Sequence, residues 1–336
     1  MDHTRTVVIA APSLARTARL ARPALAFIAW MLAACAPHIE AAGPPVVAPA
    51  LGGDHLRAAD GARLPLRVWP ANPETRAVVI AVHGFNDYSN AFDTPARYWA
   101  ARGIAIYAYD QRGFGATEHY GLWPGTETMV DDLATITDLV RAKHPGTPAY
   151  LLGESMGGAV VMALMARDDA PAIDGVVLVA PAVWGWRTMN PFYRATLWLG
   201  AHIVPWATVT GRGLGIRPSD NREMLVALSK DQLTIKKTRI DSLYGLVGLM
   251  DEAFVAAERI TVPALVLYGE HDDLVPEEPT YRMLRRLSAP HRVAVYAQGF
   301  HMLLRDLQAD AVLADVAAWI ADAAAPLPSG EERRGE

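Results

Sequence analysis

Several short runs in this chain are apolar on both faces, and a strand of that kind is stable only inside a sheet covered on both sides. The strand-like runs are Ala77–Val82, Ile104–Tyr109, Ala149–Leu152, Gly175–Ala180, Ala264–Tyr268 and Arg292–Tyr296. Amphipathic helical stretches fall between them, at about Phe92–Arg102, Thr126–Lys143, Met156–Arg167, Glu277–Leu287 and Leu303–Ala323. This alternation predicts an α/β fold, a mainly parallel central sheet with helices on both faces. With 51% apolar residues, a chain of 336 can build a substantial core.

One stretch breaks the rhythm. From about Val183 to Ile260 there are helical patterns and turns but no core strand, and the sheet resumes only at Val262. A helical insertion of that length between two strands predicts a cap over the carboxyl edge of the sheet, where open α/β sheets place their sites. Trp184, Trp186, Trp198 and Trp206 cluster in it, and residues 185–250 hold nine Lys or Arg against four Asp or Glu in a chain of net charge −5.

The ends read differently. Arg16, Arg19 and Arg22 precede an apolar run from Pro23 to Ala34, the layout of a secretory signal and too short for a spanning helix. Residues 36–53, rich in Ala, Pro and Gly, are expected to form a tether, 54–325 the folded domain with its cap at about 183–260, and 326–336 a disordered tail. Cys35 is the only cysteine, which excludes a disulfide scaffold. The absence of a basic run argues against nucleic acid, whose binding needs clustered positive charge. No HExxH or cysteine cluster marks a metal site, and Gly211–Gly215 does not have the placement of a dinucleotide fingerprint, so no cofactor is expected.

Gly153-Glu154-Ser155-Met156-Gly157 fits G-x-S-x-G. A random chain of this length shows that pattern about one time in ten, so its weight comes from its position. It follows the run AYLL and opens a helical stretch, the tight strand-to-helix turn that lifts a serine clear of a sheet. The turn also puts Ser155 at a helix amino terminus, whose partial positive charge favours an oxyanion. A serine hydroxyl needs a base. Among ten histidines, His301 lies just past the run RVAVY and before a helix, at the sheet edge that carries Ser155. His271 is the competing position. A carboxylate to orient the base is supplied by the run after ALVLY, where Asp272 and Asp273 both qualify, with Glu270 more distant. Backbone donors for a developing oxyanion are expected at Met156, after the nucleophile, and at Phe85, in the loop after AVVIAV. His83 then reads as a structural histidine.

HGFNDYS (His83–Ser89), YDQRGFGAT (Tyr109–Thr117), GESMGG (Gly153–Gly158), GEHDDLVP and GFHMLL resemble, in order and spacing, the monoacylglycerol lipase and lysophospholipase branch of the α/β-hydrolases, a serine hydrolase domain of the S33 aminopeptidase type. The resemblance spans roughly residues 56–320. It implies the α/β-hydrolase fold and a triad of Ser155, Asp272 and His301, and it selects Asp272 over Asp273 because the family's acid falls three residues after the loop glycine. It supports Phe85 as oxyanion donor and makes Asp110 and Arg112 a structural turn. Leu32–Cys35 resembles a bacterial lipobox, which implies lipid attachment at Cys35, export from a bacterial cytoplasm and anchoring on a membrane, the outer membrane favoured by Ala36. The implied activity is hydrolysis of an acyl ester through an acyl-enzyme on Ser155. The family pattern does not settle the basic, Trp-rich cap; its own composition carries the expectations that its apolar residues bury the chain and that its positive charge faces the membrane, with solvated helix faces as the alternative. Acyl transfer or amide cleavage by the same triad, and a non-catalytic lipid-binding lipoprotein, are the competing classes.

Overall fold

The computed structural model describes residues 36–211, 213 and 215–333, so the signal segment and Cys35 lie outside the described residues. Among those described, no helix is long and apolar enough to cross a membrane.

Three antiparallel strands, β1 (Ala50–Leu51), β2 (His55–Arg57) and β3 (Arg63–Trp69), open the main sheet. β4 (Ala77–Val82), β5 (Ile104–Tyr109), β6 (Ala149–Glu154) and β7 (Gly175–Val179) follow. A two-stranded ladder, β8 (Thr208–Val209) with β9 (Thr238–Arg239), lies in the cap. The sheet then continues with β10 (Ala264–Gly269), β11 (His291–Tyr296) and β12 (Glu332–Arg333). The order is β1-β2-β3-β5-β4-β6-β7-β10-β11-β12, parallel from β5 through β11. β2 and β3 are absent from the six runs read in the sequence. β3 alternates buried Leu64 and Leu66 with more exposed residues around Pro65, a residue that speaks against a strand in a sequence but here only forgoes a donor.

The helices are α1 (Asp93–Ala100), α2 (Thr126–Lys143), α3 (Met156–Met165), α4 (Pro191–Ile203), α5 (Arg222–Lys230), α6 (Ile240–Ala256), α7 (Glu277–Leu284) and α8 (Ala309–Ala321). Alternate residues of each central strand face opposite sides. In β4, Val78, Ile80 and Val82 join a core with α2, α3 and α6, while Val79 and Ala81 join a second with α1 and α8. Trp99 ties the second layer together by donating its indole N–H to the Leu313 carbonyl at 3.0 Å.

Three boundaries differ from the sequence reading. The cap is shorter, because α6 packs on α3 and gives Leu249, Ala253 and Phe254 to the core, so the inserted segment proper ends near β9. The expected tether lies along the domain: Glu40 N–H donates to the Trp123 carbonyl at 2.8 Å, Gly43 N–H to Asp60 at 3.0 Å, and β1 pairs with β2. The expected disordered tail is likewise docked through residue 333. Leu327 is buried, Ser329 donates to Asp315 at 2.5 Å, and Glu332 takes both arms of Arg292 at 2.7 Å as β12 pairs with β11.

Candidate active site

The loops after β4, β6, β10 and β11 meet at one edge of the sheet, and each carries one of the residues singled out in the sequence. Ser155 joins β6 to α3 at φ 54° and ψ −116°. A non-glycine residue in such a region costs on the order of 1–3 kcal/mol and persists only where its surroundings hold it. Here they do. Ser155 N–H donates to the Val179 carbonyl at 2.9 Å, and its own carbonyl accepts from Ala182 at 3.0 Å. The motif glycines make room for the turn: a Cβ on Gly153 would come within 2.4 Å of the Gly157 backbone, and one on Gly157 within 1.9 Å of the Val82 carbonyl oxygen.

His301 is buried in the loop after β11, its Nδ1 2.7 Å from Oδ2 of Asp272, whose side chain is fully enclosed. The other oxygen of Asp272 accepts from the amides of Leu274 and Val275 at 2.8 and 2.9 Å. A carboxylate at Nδ1 makes that nitrogen the donor and leaves Nε2 free to accept a proton. Burial pulls the imidazole pKa down, but the charge and hydrogen bond of Asp272 more than offset this and hold it above the ordinary value. The structure thus brings Asp272, and not its neighbour, to His301. Asp273 is exposed and accepts from Arg217 N–H at 3.1 Å, Glu270 pairs with Arg333 at 2.5 Å, and His271 lies exposed against the Phe300 ring.

The loop after β4 approaches the serine closely: a Cβ on Gly84 would sit 3.4 Å from Ser155 Cβ. That places Phe85 beside Ser155 and Met156 directly after it, at the start of α3. His83 is fully buried; its Nε2 accepts from Gln111 N–H at 3.0 Å, which leaves Nδ1–H to donate to the Gly84 carbonyl at 2.9 Å. Burial lowers its pKa further, so it stays neutral and pins the loop. Asp110 accepts from Ser89 and Ala116, and Arg112 is clamped between Asp60 and Asp132, so both serve the neighbouring turns.

Ser155 and His301 share a cavity of about 600 Å³ roofed by the cap. Of the four clustered tryptophans only Trp184 lines it. Trp186 and Trp198 border a separate outer hollow with Arg194 and Tyr244, and Trp206 is exposed. α4 explains the division: Leu197 faces the cavity and Tyr193, one turn before it and itself half exposed, lines its rim, while Phe192, Trp198 and Leu199 project into solvent. At the polar end of the cavity stand Asn86, Asp87, Glu154 and Arg305, which the sequence reading had not singled out. Glu154 and Arg305 occupy unspecified positions beside motif residues, and only folding brings them to Asp87.

Residues 73–308 match the family model described as serine aminopeptidase, S33. A monoacylglycerol lipase of Mycolicibacterium smegmatis is 27% identical over 264 residues, 77% of this chain and 93% of that protein. A monoglyceride lipase of Mus musculus is 27% identical over 287 residues, covering 82% and 92%. Among solved structures, a soluble variant of monoglyceride lipase from Saccharomyces cerevisiae in complex with a substrate analog superposes with a TM-score of 0.68 at 17% identity, over 85% of this chain and 97% of that one, a likeness of fold.

Proposed function

The chain belongs to the serine aminopeptidase S33 family of α/β-hydrolases and is a carboxylic ester hydrolase, and from that premise we propose that it cleaves monoacylglycerols through an acyl-enzyme on Ser155. The observation that carries this reading is the strained Ser155 turn opening into the same apolar cavity as an Asp272-bonded His301. His301 Nε2 takes the Ser155 proton as Oγ attacks the ester carbonyl carbon. The amides of Phe85 and Met156 receive the developing oxyanion, a contribution of several kcal/mol. The alkoxide of the head group leaves with the proton from His301. Water then adds to the acyl-enzyme with His301 again as base, and the fatty acid departs.

The polar end of the cavity supports a neutral, hydroxylated head group. Oδ1 of Asn86 and Oε1 of Glu154 are buried acceptors with no hydrogen-bond partner among the described residues. Glycerol hydroxyls donate to such atoms. A phosphodiester brings acceptors and a negative charge to a wall where two carboxylates face one guanidinium. With one acyl chain held constant across monoacylglycerol, lysophospholipid, methyl ester and amide, kcat/KM of the full chain is expected to be highest for monoacylglycerol. Preference for the lysophospholipid would overturn the head-group assignment, and turnover of the amide alone would overturn the ester reading.

Chain length is expected to be read by the inner wall of the cap. Burial contributes about 0.8 kcal/mol per methylene, so widening the cavity changes which chains are held best. Trp184→Ala is expected to shift preference to longer chains, because the removed indole vacates space in which further methylenes are buried. Trp198→Ala leaves that preference in place and instead weakens binding to anionic vesicles, because Trp198 lies on the outer, half-exposed face of a cap carrying excess Lys and Arg. Comparison of chain-length profiles and vesicle co-sedimentation for the two variants tests both roles. A Trp198→Ala profile shifted like that of Trp184→Ala, or unchanged sedimentation, would reject the division.

A further inference from the structure

One buried guanidinium touches all three segments that carry the reactive groups. Arg305 follows His301 by one helical turn's worth of residues, and its side chain is 11% exposed. Through Nη2 it meets Asp87 Oδ2 at 2.7 Å and Glu154 Oε2 at 3.2 Å. Asp87 lies two positions beyond Phe85 in the loop after β4. Glu154 is the last residue of β6 and immediately precedes Ser155. Arg305 is itself anchored: its N–H donates to the Met302 carbonyl at 2.8 Å, and its carbonyl accepts from Asn221 Nδ2 at 2.9 Å.

A buried arrangement of one cation and two carboxylates is a poor way to gain stability. Desolvation consumes most of the Coulombic attraction, and apolar side chains of the same volume generally do as well. Its distinguishing property is geometry, because the three groups stay together only when the three segments stand at one spacing. We infer that Arg305 is a positioning residue, holding the Phe85 loop, the Ser155 turn and the His301 loop in register through its ion pairs with Asp87 and Glu154. The inference rests on the reading of Ser155 and His301 as the reacting groups.

Displacement of reacting groups by about 1 Å costs on the order of 10²-fold in rate. Arg305→Met is therefore expected to lower kcat about 10²-fold while KM moves less than about threefold, since the apolar wall that binds the acyl chain is untouched. The charges facing His301 are Asp272, Glu154, Asp306 and Arg305. Removing the cation lets the carboxylates stabilise imidazolium more strongly, so the acid limb of the kcat/KM profile moves to higher pH. Glu154→Gln removes one of those carboxylates and moves the limb to lower pH. Opposite displacements of one limb are not produced by a loss of stability alone. Arg305→Lys keeps the charge, but its ammonium stands on a shorter stem and falls short of the position of Nη2, the one nitrogen that meets both carboxylates, so it retains the parent limb at a reduced kcat.

The test is steady-state kinetics of the full chain across pH for these three variants, with thermal unfolding alongside and Ser155→Ala as control. Parental kcat and an unmoved acid limb in Arg305→Met would overturn the inference. If that variant does not fold, parental kcat in Arg305→Lys together with an unmoved limb in Glu154→Gln would overturn it, and the shifts stated above would support it. Failure of the site reading is distinguishable, because it appears as turnover that survives in Ser155→Ala.

Discussion

Ser155→Ala is expected to lower kcat by about 10⁶-fold, leaving at most the 10³–10⁴-fold advantage over water that oxyanion donors and binding alone provide. The loss is chemical and not structural. Alanine keeps the Cβ, so the backbone at φ 54° is strained as before, and the glycine-walled turn fits around it unchanged. KM and the unfolding midpoint should both stay near the parent values. Ser155→Gly separates the two effects further. Glycine adopts positive φ without the side-chain penalty, so this variant should be equally inactive yet more stable by about 1 kcal/mol or more. A reactive phosphonate should label the parent and neither variant. Turnover by Ser155→Ala within tenfold of the parent would remove Ser155 from the mechanism, and with it the acyl-enzyme.

Asp272→Asn carries the second large effect, a fall in kcat of about 10⁴-fold, against little change in Asp273→Asn. The side chain at 272 accepts two loop amides with one oxygen and faces His301 Nδ1 with the other. An asparagine keeps its carbonyl on the loop amides and turns its NH₂ toward the imidazole. Nδ1 must then accept, the proton moves to Nε2, and the ring can no longer take the Ser155 proton. Loss of the carboxylate charge also lowers the imidazole pKa, so the residual activity should persist to lower pH than in the parent. Asp273 makes no contact of this kind; it accepts from Arg217 N–H at the exposed rim of the same loop. Parallel pH–rate profiles of the two variants check the assignment. Equal losses in both, or a larger loss at 273, would reverse it.

The sheet and the outline of the site were legible in the sequence, because the signals behind them are local. A strand without a polar face announces its burial within six residues, and β4, β5 and α2 begin and end where the apolar pattern does. Ser155 and His301 could be placed because each follows a strand-like run within a few residues. The choice between Asp272 and Asp273 was not local. Both follow β10, and the residues alone left them open; the resemblance selected one, and the hydrogen bonds around each then separated them in space.

What the sequence by itself determined is therefore the order of the six central strands and of the helices between them outside the cap, and which segments end at the reactive edge, since periodicity and strand-end placement need no distant partner. The tertiary structure decided everything that depends on one. The polar tail orders because Glu332 finds Arg292 40 residues away, and Arg305 gains its position from Glu154, 151 residues away. α6 became a core helix because α3 lay there to receive it. The same holds for α4, whose sequence is apolar on most sides: which aromatic residues line the cavity and which meet solvent was set by the surface beneath the helix, a property no residue in it encodes.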